Sequence, residues 1–286
     1  MIWWSVLGAA LIGTALWDVF HTLWHPSGQG RLGHTVMALV WRLLRRRRPR
    51  LRQLGGPLAM VTVLLAWVVL VGLGGALVFW PHLPGGFNFA SGLDPLRGEF
   101  VDAVYLSLVT LTTLGFGDIV PTNPWLRLFA PLEALIGFAL LTAVVSWVLQ
   151  VYPALTRRRA LALRLAFLRD AGTLDSLDRL SAPAGARILD GLATAVVHAR
   201  VDLTQYAETF YFQEKEPDAT LAVTVRYAHD LACAGERSEH AEVRLAARTL
   251  GRALDDLAQL LDEQFLHRGG DTADVLAAYA DAQTGP

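Results

Sequence analysis

The sequence has little cysteine and little charge. Cys233 is the only cysteine among 286 residues, which excludes an intrachain disulfide and a metal cluster held by cysteines. Charged residues make up 18% of the chain and hydrophobic residues 53%, a balance far from that of a soluble domain. This composition favours a membrane protein.

Several functional motifs are also missing. We find no pairing of a nucleophile with a base, no phosphate-binding loop and no metal motif, so an enzyme is not expected. No apolar segment carries regularly spaced arginines, which excludes a voltage sensor built on an arginine-bearing helix. The sequence predicts neither an organic cofactor nor nucleic acid as a partner.

Three apolar segments are long enough to cross a bilayer: residues 2–24, 57–80 and 125–151. Their orientation follows from arginine, because clusters of basic residues stay in the cytoplasm. One cluster, residues 42–52, lies between the first two segments, and another, residues 157–159, follows the third. The N-terminus is therefore expected outside the cell and the C-terminal domain in the cytoplasm of an integral cell membrane protein.

The stretch "RLGHTVMALVWRLL" repeats apolar residues at helical spacing just before the first arginine cluster. This pattern predicts an amphipathic helix on the inner leaflet, with arginines near anionic lipid headgroups. The arginines assigned to the headgroups are Arg42, Arg45, Arg46, Arg47 and Arg48. An ordinary solvated basic linker is the alternative.

A polar cluster closes the first apolar segment. Asp18, His21 and His25 follow one another at i, i+3 and i+7, on one face of a helix. A carboxylate beside histidines is typical of a pH sensor, and the same groups suit a metal, although nothing supplies the remaining ligands. The alternative is anchoring at the interface and a hydrogen bond between helices.

Residues 99–113 are apolar but too short to cross the membrane and return, so they are expected to dip into it. The following "TLGFG" puts non-helical backbone at membrane depth, which is tolerated only inside protein or along a water-filled path. Gly115 and Gly117 can adopt φ values closed to other residues, so successive carbonyls can face one axis and replace the hydration shell of a cation.

With this motif between two apolar segments, residues 57–152 resemble the tetrameric potassium channels. The resemblance implies K+ ions in a carbonyl-lined selectivity filter and a homotetramer, because each chain has one such loop. The filter residues it assigns are Thr113, Leu114, Gly115, Phe116 and Gly117. Residues assigned to filter support are Thr112, Asp118, Tyr105 and Glu133.

The chain departs from the pattern behind the filter. Some bacterial relatives have a glutamate where this chain has Val109, so Asp118 lacks that partner. The hydroxyl of Tyr105 is expected to reach Asp118 instead. Glu133 either replaces the missing glutamate behind the filter or caps the first turn after Pro131 near the outer interface.

The third apolar segment resembles the inner helix of these channels. Gly137 falls at the position of a hinge, and the residues after it recur at helical spacing. The gate and cavity are assigned to Gly137, Phe138, Leu141, Val145, Ser146 and Leu149. Their apolar side chains can close a pore by dewetting. Pro153 is expected to end or kink the helix at the cytoplasmic mouth.

The remaining sequence predicts a cytoplasmic helical bundle, with one possible extended segment at "TLAVTVRY". The predicted fold is an all-α membrane protein with four parts: an extra N-terminal helix (1–25), a basic amphipathic linker (26–56), a pore domain (57–152) and a cytoplasmic helical domain (153–286). The predicted function is passive potassium conduction without a voltage sensor. The alternative is a poorly conducting membrane-anchored scaffold whose output is the cytoplasmic domain.

Overall fold

The computed structural model describes residues 2–23, 30–45, 55–91, 98–214 and 216–284. Within these ranges the fold is all-α apart from two short strands, and three helices are long and apolar enough to span a membrane. They are α1 (Ile2–Leu23), α3 (Gly55–Phe79) and α5 (Pro124–Asp170). Between the first two lies α2 (Arg31–Arg45), which confirms a helix in the basic linker.

The chain forms two compact units. The first contains residues 1–38 and 59–149. In it the short helix α4 (Phe100–Leu111) lies between α3 and α5 in the sequence, and strands β1 (Phe87–Phe89) and β2 (Ile119–Pro121) pair antiparallel. Apolar side chains from the two strands and from α3, α4 and α5 pack into one core, whose buried members include Phe79, Phe87, Leu106, Ile119 and Leu126. This core fixes both ends of the segment that follows α4.

The second unit contains residues 39–58 and 150–286. It comprises the later part of α5, the short helix α6 (Thr173–Ser176), and the longer helices α7 (Ala182–Gln205), α8 (Leu221–Glu236), α9 (Ala241–Leu261) and α10 (Thr272–Thr284). Leucines dominate its core, and the fully buried ones include Leu189, Leu192, Leu231, Leu250 and Leu254. The predicted helical character is confirmed.

One expectation for this unit is wrong, and so is one of the two alternatives for Pro153, that the helix ends there. "TLAVTVRY" is not extended, because Thr220 precedes α8 and the other seven residues lie within it. The buried residues in this part of α8, Leu221, Ala222, Thr224, Val225 and Ala228, follow helical spacing rather than alternation. The tertiary core therefore selects the helix over the strand propensity of valine and threonine.

Pro153 does not end the third apolar helix, which continues to Asp170. A proline inside a helix removes one backbone hydrogen bond and costs about 3 kcal/mol. Val151, Ala154 and Leu155 are buried on either side of it, and their packing offsets that cost. The expected domain boundary at residue 153 thus falls inside a continuous helix.

Candidate ion pathway

In residues 112–118, called the ion segment below, the sign of φ alternates along the backbone. Thr113, Gly115 and Gly117 have φ values of +59°, +53° and +75°. In a chain of uniform φ sign, neighbouring residues point to opposite sides, and reversing the sign at every second residue brings successive carbonyls toward one side. Both glycines have the positive φ expected from the sequence, and the role of the carbonyls toward a cation stays a prediction. Positive φ at Thr113 was not foreseen, because threonine rarely adopts it.

Hydrogen bonds to the last turn of α4 fix the start of this segment. The N–H of Thr113 donates to Thr110 O at 2.9 Å, and the N–H of Leu114 donates to Val109 O at 3.0 Å. Thr112 Oγ1 donates to Leu108 O at 2.7 Å, which satisfies one of the last helical carbonyls. The C-terminal, negative end of the α4 dipole therefore meets the segment, an arrangement that favours a cation.

The side chains of the segment are exposed in the single chain. Leu114 and Phe116 have 61% and 66% of their surface accessible. A Cβ built on Gly115 or Gly117 would meet no atom within 4 Å, so space does not demand glycine there. Their positive φ does, because a side chain is strained in that conformation.

Asp118 is held at the far end of the segment. Tyr105 Oη donates a hydrogen bond to Asp118 Oδ2 at 2.7 Å, which is the contact expected from the sequence. The Asp118 carboxylate also accepts from its neighbour Ile119 N at 3.2 Å. Its backbone carbonyl accepts from Ala90 N at 2.8 Å, next to the β1–β2 pair. The segment is thus tied at Asp118 to both α4 and the strand pair.

Glu133 is fully buried and faces α4. Ser107 Oγ lies 2.5 Å from Glu133 Oε1 and 2.8 Å from Gly72 O, so it joins α4 to α5 and to α3. A Cβ on Gly75 would lie 1.9 Å from the same carboxylate oxygen, so α3 must have glycine there. Glu133 therefore contacts α4, the helix that precedes the segment, and its role in supporting a filter stays a prediction.

Ser107 was missed by the sequence analysis. The signal was available, since a serine in an otherwise apolar short helix calls for a buried hydrogen-bonding partner. Glu133 is that partner, and it was considered on its own.

Gly137 is a point of close approach rather than open space. A Cβ at this position would lie 1.8 Å from Leu111 O, at the end of α4. Glycine lets the backbone of α5 pass directly against the carbonyl that precedes the ion segment. The expected hinge role remains a prediction, and packing alone already requires glycine.

Below Gly137 an apolar cavity of about 380 Å3 opens between α3, the end of α4 and α5. Its lining includes Trp67, Thr112, Thr113, Phe138 and Leu141. The side chains of Phe138, Leu141, Val145 and Leu149 are all more than half exposed and follow one another along one face of α5. Ser146 Oγ donates to Thr142 O of the same helix, so its hydroxyl is locally satisfied.

The polar end of α1 has unexpected partners. The Asp18 carboxylate accepts hydrogen bonds from the N–H groups of Leu32 and Gly33 and from Trp67 Nε1. His21 Nδ1 is hydrogen-bonded to Trp17 O at 2.9 Å. His25 lies outside the described residues, as do Arg46, Arg47 and Arg48, while Arg42 and Arg45 are on α2. Across the described ranges no group of three or more His, Cys, Asp or Glu side chains is arranged to hold a metal.

Residues 62–152 match the family described as Ion_trans_2, ion channel. Nearly all of this match lies in the first unit, which is called the pore unit below. With three apolar helices the chain is an integral membrane protein, and the matching family is one of ion channels.

Plant channels and a bacterial membrane protein resemble parts of the chain. Two pore potassium channel c of Oryza sativa subsp. japonica is 42% identical over 79 residues, covering 26% of this chain and 17% of the rice protein. Two-pore potassium channel 5 of Arabidopsis thaliana is 46% identical over 55 residues, covering 18% and 14%. The uncharacterized membrane protein YdjJ of Bacillus subtilis (strain 168) is 25% identical over 172 residues, covering 59% and 50%.

The chain thus spans half of the Bacillus protein and under a fifth of the two plant channels. No solved structure matches it significantly. The plant relatives are named as potassium channels, and each match covers only a part of this chain.

Proposed function

We propose that this protein is a potassium-selective channel that conducts K+ passively across the cell membrane. The observation that carries the proposal is the alternating positive φ of Thr113, Gly115 and Gly117, at the negative end of a short apolar helix. Backbone carbonyls brought to one side in this way replace the water around a dehydrated cation. The choice of K+ is supported by two plant potassium channels that are similar to part of the chain.

The conducting unit is a homotetramer. Each chain contributes one ion segment, and a ring of carbonyls around an axis needs several copies. Two features of the single chain support assembly: the side chains of residues 112–117 are exposed, and so is the apolar stripe from Phe138 to Leu149. The same stripe would surround the cavity below the filter and form an apolar gate.

The membrane orientation places the N-terminus outside and the second unit in the cytoplasm. Hydrogen bonds between the end of α1 and the start of α2 support this, because they bring the basic helix to the end of the first span. The arginines of α2 and of the linker after it would then lie near anionic headgroups of the inner leaflet. Residues 57–152 act as the pore domain.

Tyr105 and Glu133 support the filter from opposite sides. Tyr105 holds Asp118 at one end of the segment, and Glu133 holds Ser107 on the helix behind it. Removing either contact is expected to loosen the geometry on which selectivity depends.

The test is flux of potassium and of sodium into liposomes that contain the purified full-length protein. Wild-type protein is expected to pass potassium much faster than sodium. Gly115→Ala is expected to abolish the difference, because alanine is strained at a φ of +53°. Gly85→Ala is the matched control, since a Cβ there also meets nothing within 4 Å but no left-handed φ is required.

Two results would contradict the proposal. Equal fluxes of the two cations in wild-type protein would remove potassium selectivity. Absence of flux in wild-type protein and also after deletion of residues 154–286 would favour the alternative function, a membrane-anchored scaffold.

A further inference from the structure

Asp18 lies at a junction of three helices in the pore unit. Its side chain is 4% exposed, although it carries a carboxylate near the end of an apolar helix. The Leu32 and Gly33 N–H groups donate to it at 2.9 and 3.1 Å, and Trp67 Nε1 donates at 2.9 Å. One acid of α1 therefore binds the start of α2 and the middle of α3.

The contact with α2 is a helix cap supplied from another helix. The first N–H groups of a helix have no partner within it, and an Asp, Asn, Ser or Thr at the preceding position normally accepts from them. Gly30 precedes α2 and has no side chain to do so. A Cβ on Gly30 would lie 2.4 Å from Asp18 Oδ1. The glycine therefore leaves room for Asp18, whose carboxylate takes the place of a capping side chain at position 30.

The contact with Trp67 connects Asp18 to α5. Trp67 is buried in α3, and its ring centroid lies 5.9 Å from that of Trp147, which is buried in α5. Trp67 also lines the cavity together with Phe138 and Leu141. The start of α2 is thereby connected through two buried tryptophans to the part of α5 that carries the apolar stripe.

The other end of α2 belongs to the second unit. Trp41 is 7% exposed and packs edge-on against Tyr211, with ring centroids 5.7 Å apart. The backbone around Tyr211 is fixed by the buried Arg158, whose guanidinium donates to Thr209 O and to Phe212 O. The end of α2 therefore packs on a short 3-10 helix (Ala207–Tyr211), and Arg158 of α5 is bonded to the backbone of this segment.

We propose that α2 carries the gating signal from the cytoplasmic helices to the inner helix, with Trp41 receiving it and Asp18 delivering it. This rests on the proposed channel function and assigns a role to the extra helix α1, which anchors the delivering end. A 15-residue helix with both ends fixed transmits a displacement, whereas a helix freed at either end does not. Asp18 and Trp41 are then positioning residues that act on the gate through other side chains.

The experiment is a double-mutant cycle on the full-length protein in planar bilayers with potassium on both sides. Asp18→Ala, Trp41→Ala and the double variant are compared by open probability. Each single variant is expected to change it by about fivefold or more, the lower range of coupling between sites. The double variant is expected to match the single variants, because breaking either end already disconnects α2. Leu39→Ala is the control, since Leu39 is exposed on the same helix.

An engineered disulfide distinguishes a role of Asp18 in positioning α2 from a role in stability alone. Gly33 lies next to Thr22, and a Cβ added to Gly33 would lie 3.5 Å from Thr22 Oγ1, so cysteines at both positions can fasten α2 to α1. In an Asp18→Ala, Cys233→Ser background, oxidation of Thr22→Cys and Gly33→Cys is expected to restore the wild-type open probability. Reduction is expected to abolish the rescue.

Three outcomes would overturn the proposal: multiplicative effects of the two single variants, an unchanged open probability in Asp18→Ala, or no rescue once the disulfide is formed. They are distinguishable from failure of the channel function itself. That failure would appear as absence of potassium current in wild-type protein.

Discussion

The two parts of α5 behave differently although they form one continuous helix. In the pore unit Leu128, Leu132 and Leu135 are exposed, whereas Leu161 and Leu165 of the second unit are buried. The second unit completes its core within one chain. The pore unit leaves its inner helix uncovered, so its apolar surface requires lipid or other copies of the chain.

Polar groups are paired in both parts, since the second unit also buries Arg158 and Asp202. The described part of the second unit carries exposed ion pairs such as Arg169–Asp218, which contribute little to stability. The pore unit buries Asp18 and Glu133 and gives each a specific partner. A buried polar group costs free energy unless it is paired, so these contacts fix the arrangement of the helices. Variants at the buried acids of the pore unit should therefore affect conduction, and variants in the leucine core of the second unit should affect folding.

The largest effect is expected at Gly137 in the pore unit. In Gly137→Ala the new Cβ would fall 1.8 Å from Leu111 O, a backbone atom that cannot move without displacing the ion segment. Potassium flux into liposomes is expected to fall by about tenfold or more, since small displacements of a site are costly. Gly13→Ala, where a Cβ meets nothing within 4 Å, should leave the flux unchanged. Normal flux in Gly137→Ala would show that the approach of the two helices is not essential.

The next effect concerns the second unit. Leu250→Ala removes a fully buried side chain and should lower the free energy of unfolding by about 2–5 kcal/mol. Hydrogen exchange of the α9 amides measures this locally. Leu245→Ala, on the exposed face of the same helix, should change it by less than about 0.5 kcal/mol. Equal costs at the two positions would mean that this core is not complete within one chain.

A smaller effect is expected for Ser107→Ala, which leaves the buried carboxylate of Glu133 without its hydroxyl partner. The cost of such an unpaired group is about 1–3 kcal/mol. We expect reduced potassium-over-sodium selectivity in flux measurements with an intact assembly. Thr14→Ala removes an exposed hydroxyl that bonds only within α1, and it serves as the control. Unchanged selectivity in Ser107→Ala would show that the contact between Ser107 and Glu133 does not support the filter.

The smallest effect at neutral pH is expected at Tyr279. Burial raises the pKa of the Tyr279 phenol above 10.0. Below pH 10 the phenol is protonated in both the folded and unfolded states. Above it the unfolded chain ionises first, so the second unit should lose stability as the pH rises. In Tyr279→Phe this alkaline loss should be smaller, as measured by thermal unfolding from pH 8 to 11; an identical profile would contradict it.

Much of the fold could be predicted because its signals are local. Long apolar runs predict the three spans, and the Gly115 and Gly117 spacing predicts the ion segment. The helical character of the second unit follows from its repeated Ala and Leu. Residues 220–227 were wrongly expected to be extended, and the third span does not end at Pro153. In both places packing outweighs the local propensity.

The sequence by itself determined the apolar spans, the ion segment with its two glycines and the contact of Tyr105 with Asp118. Only the tertiary structure decided the partners of the buried acids. Asp18 pairs with a helix start fourteen residues away and with Trp67, and Glu133 pairs with Ser107 of another helix. The physical reason is that hydrophobicity and backbone preference act along the chain, whereas pairing of buried polar groups depends on which helix faces are brought together.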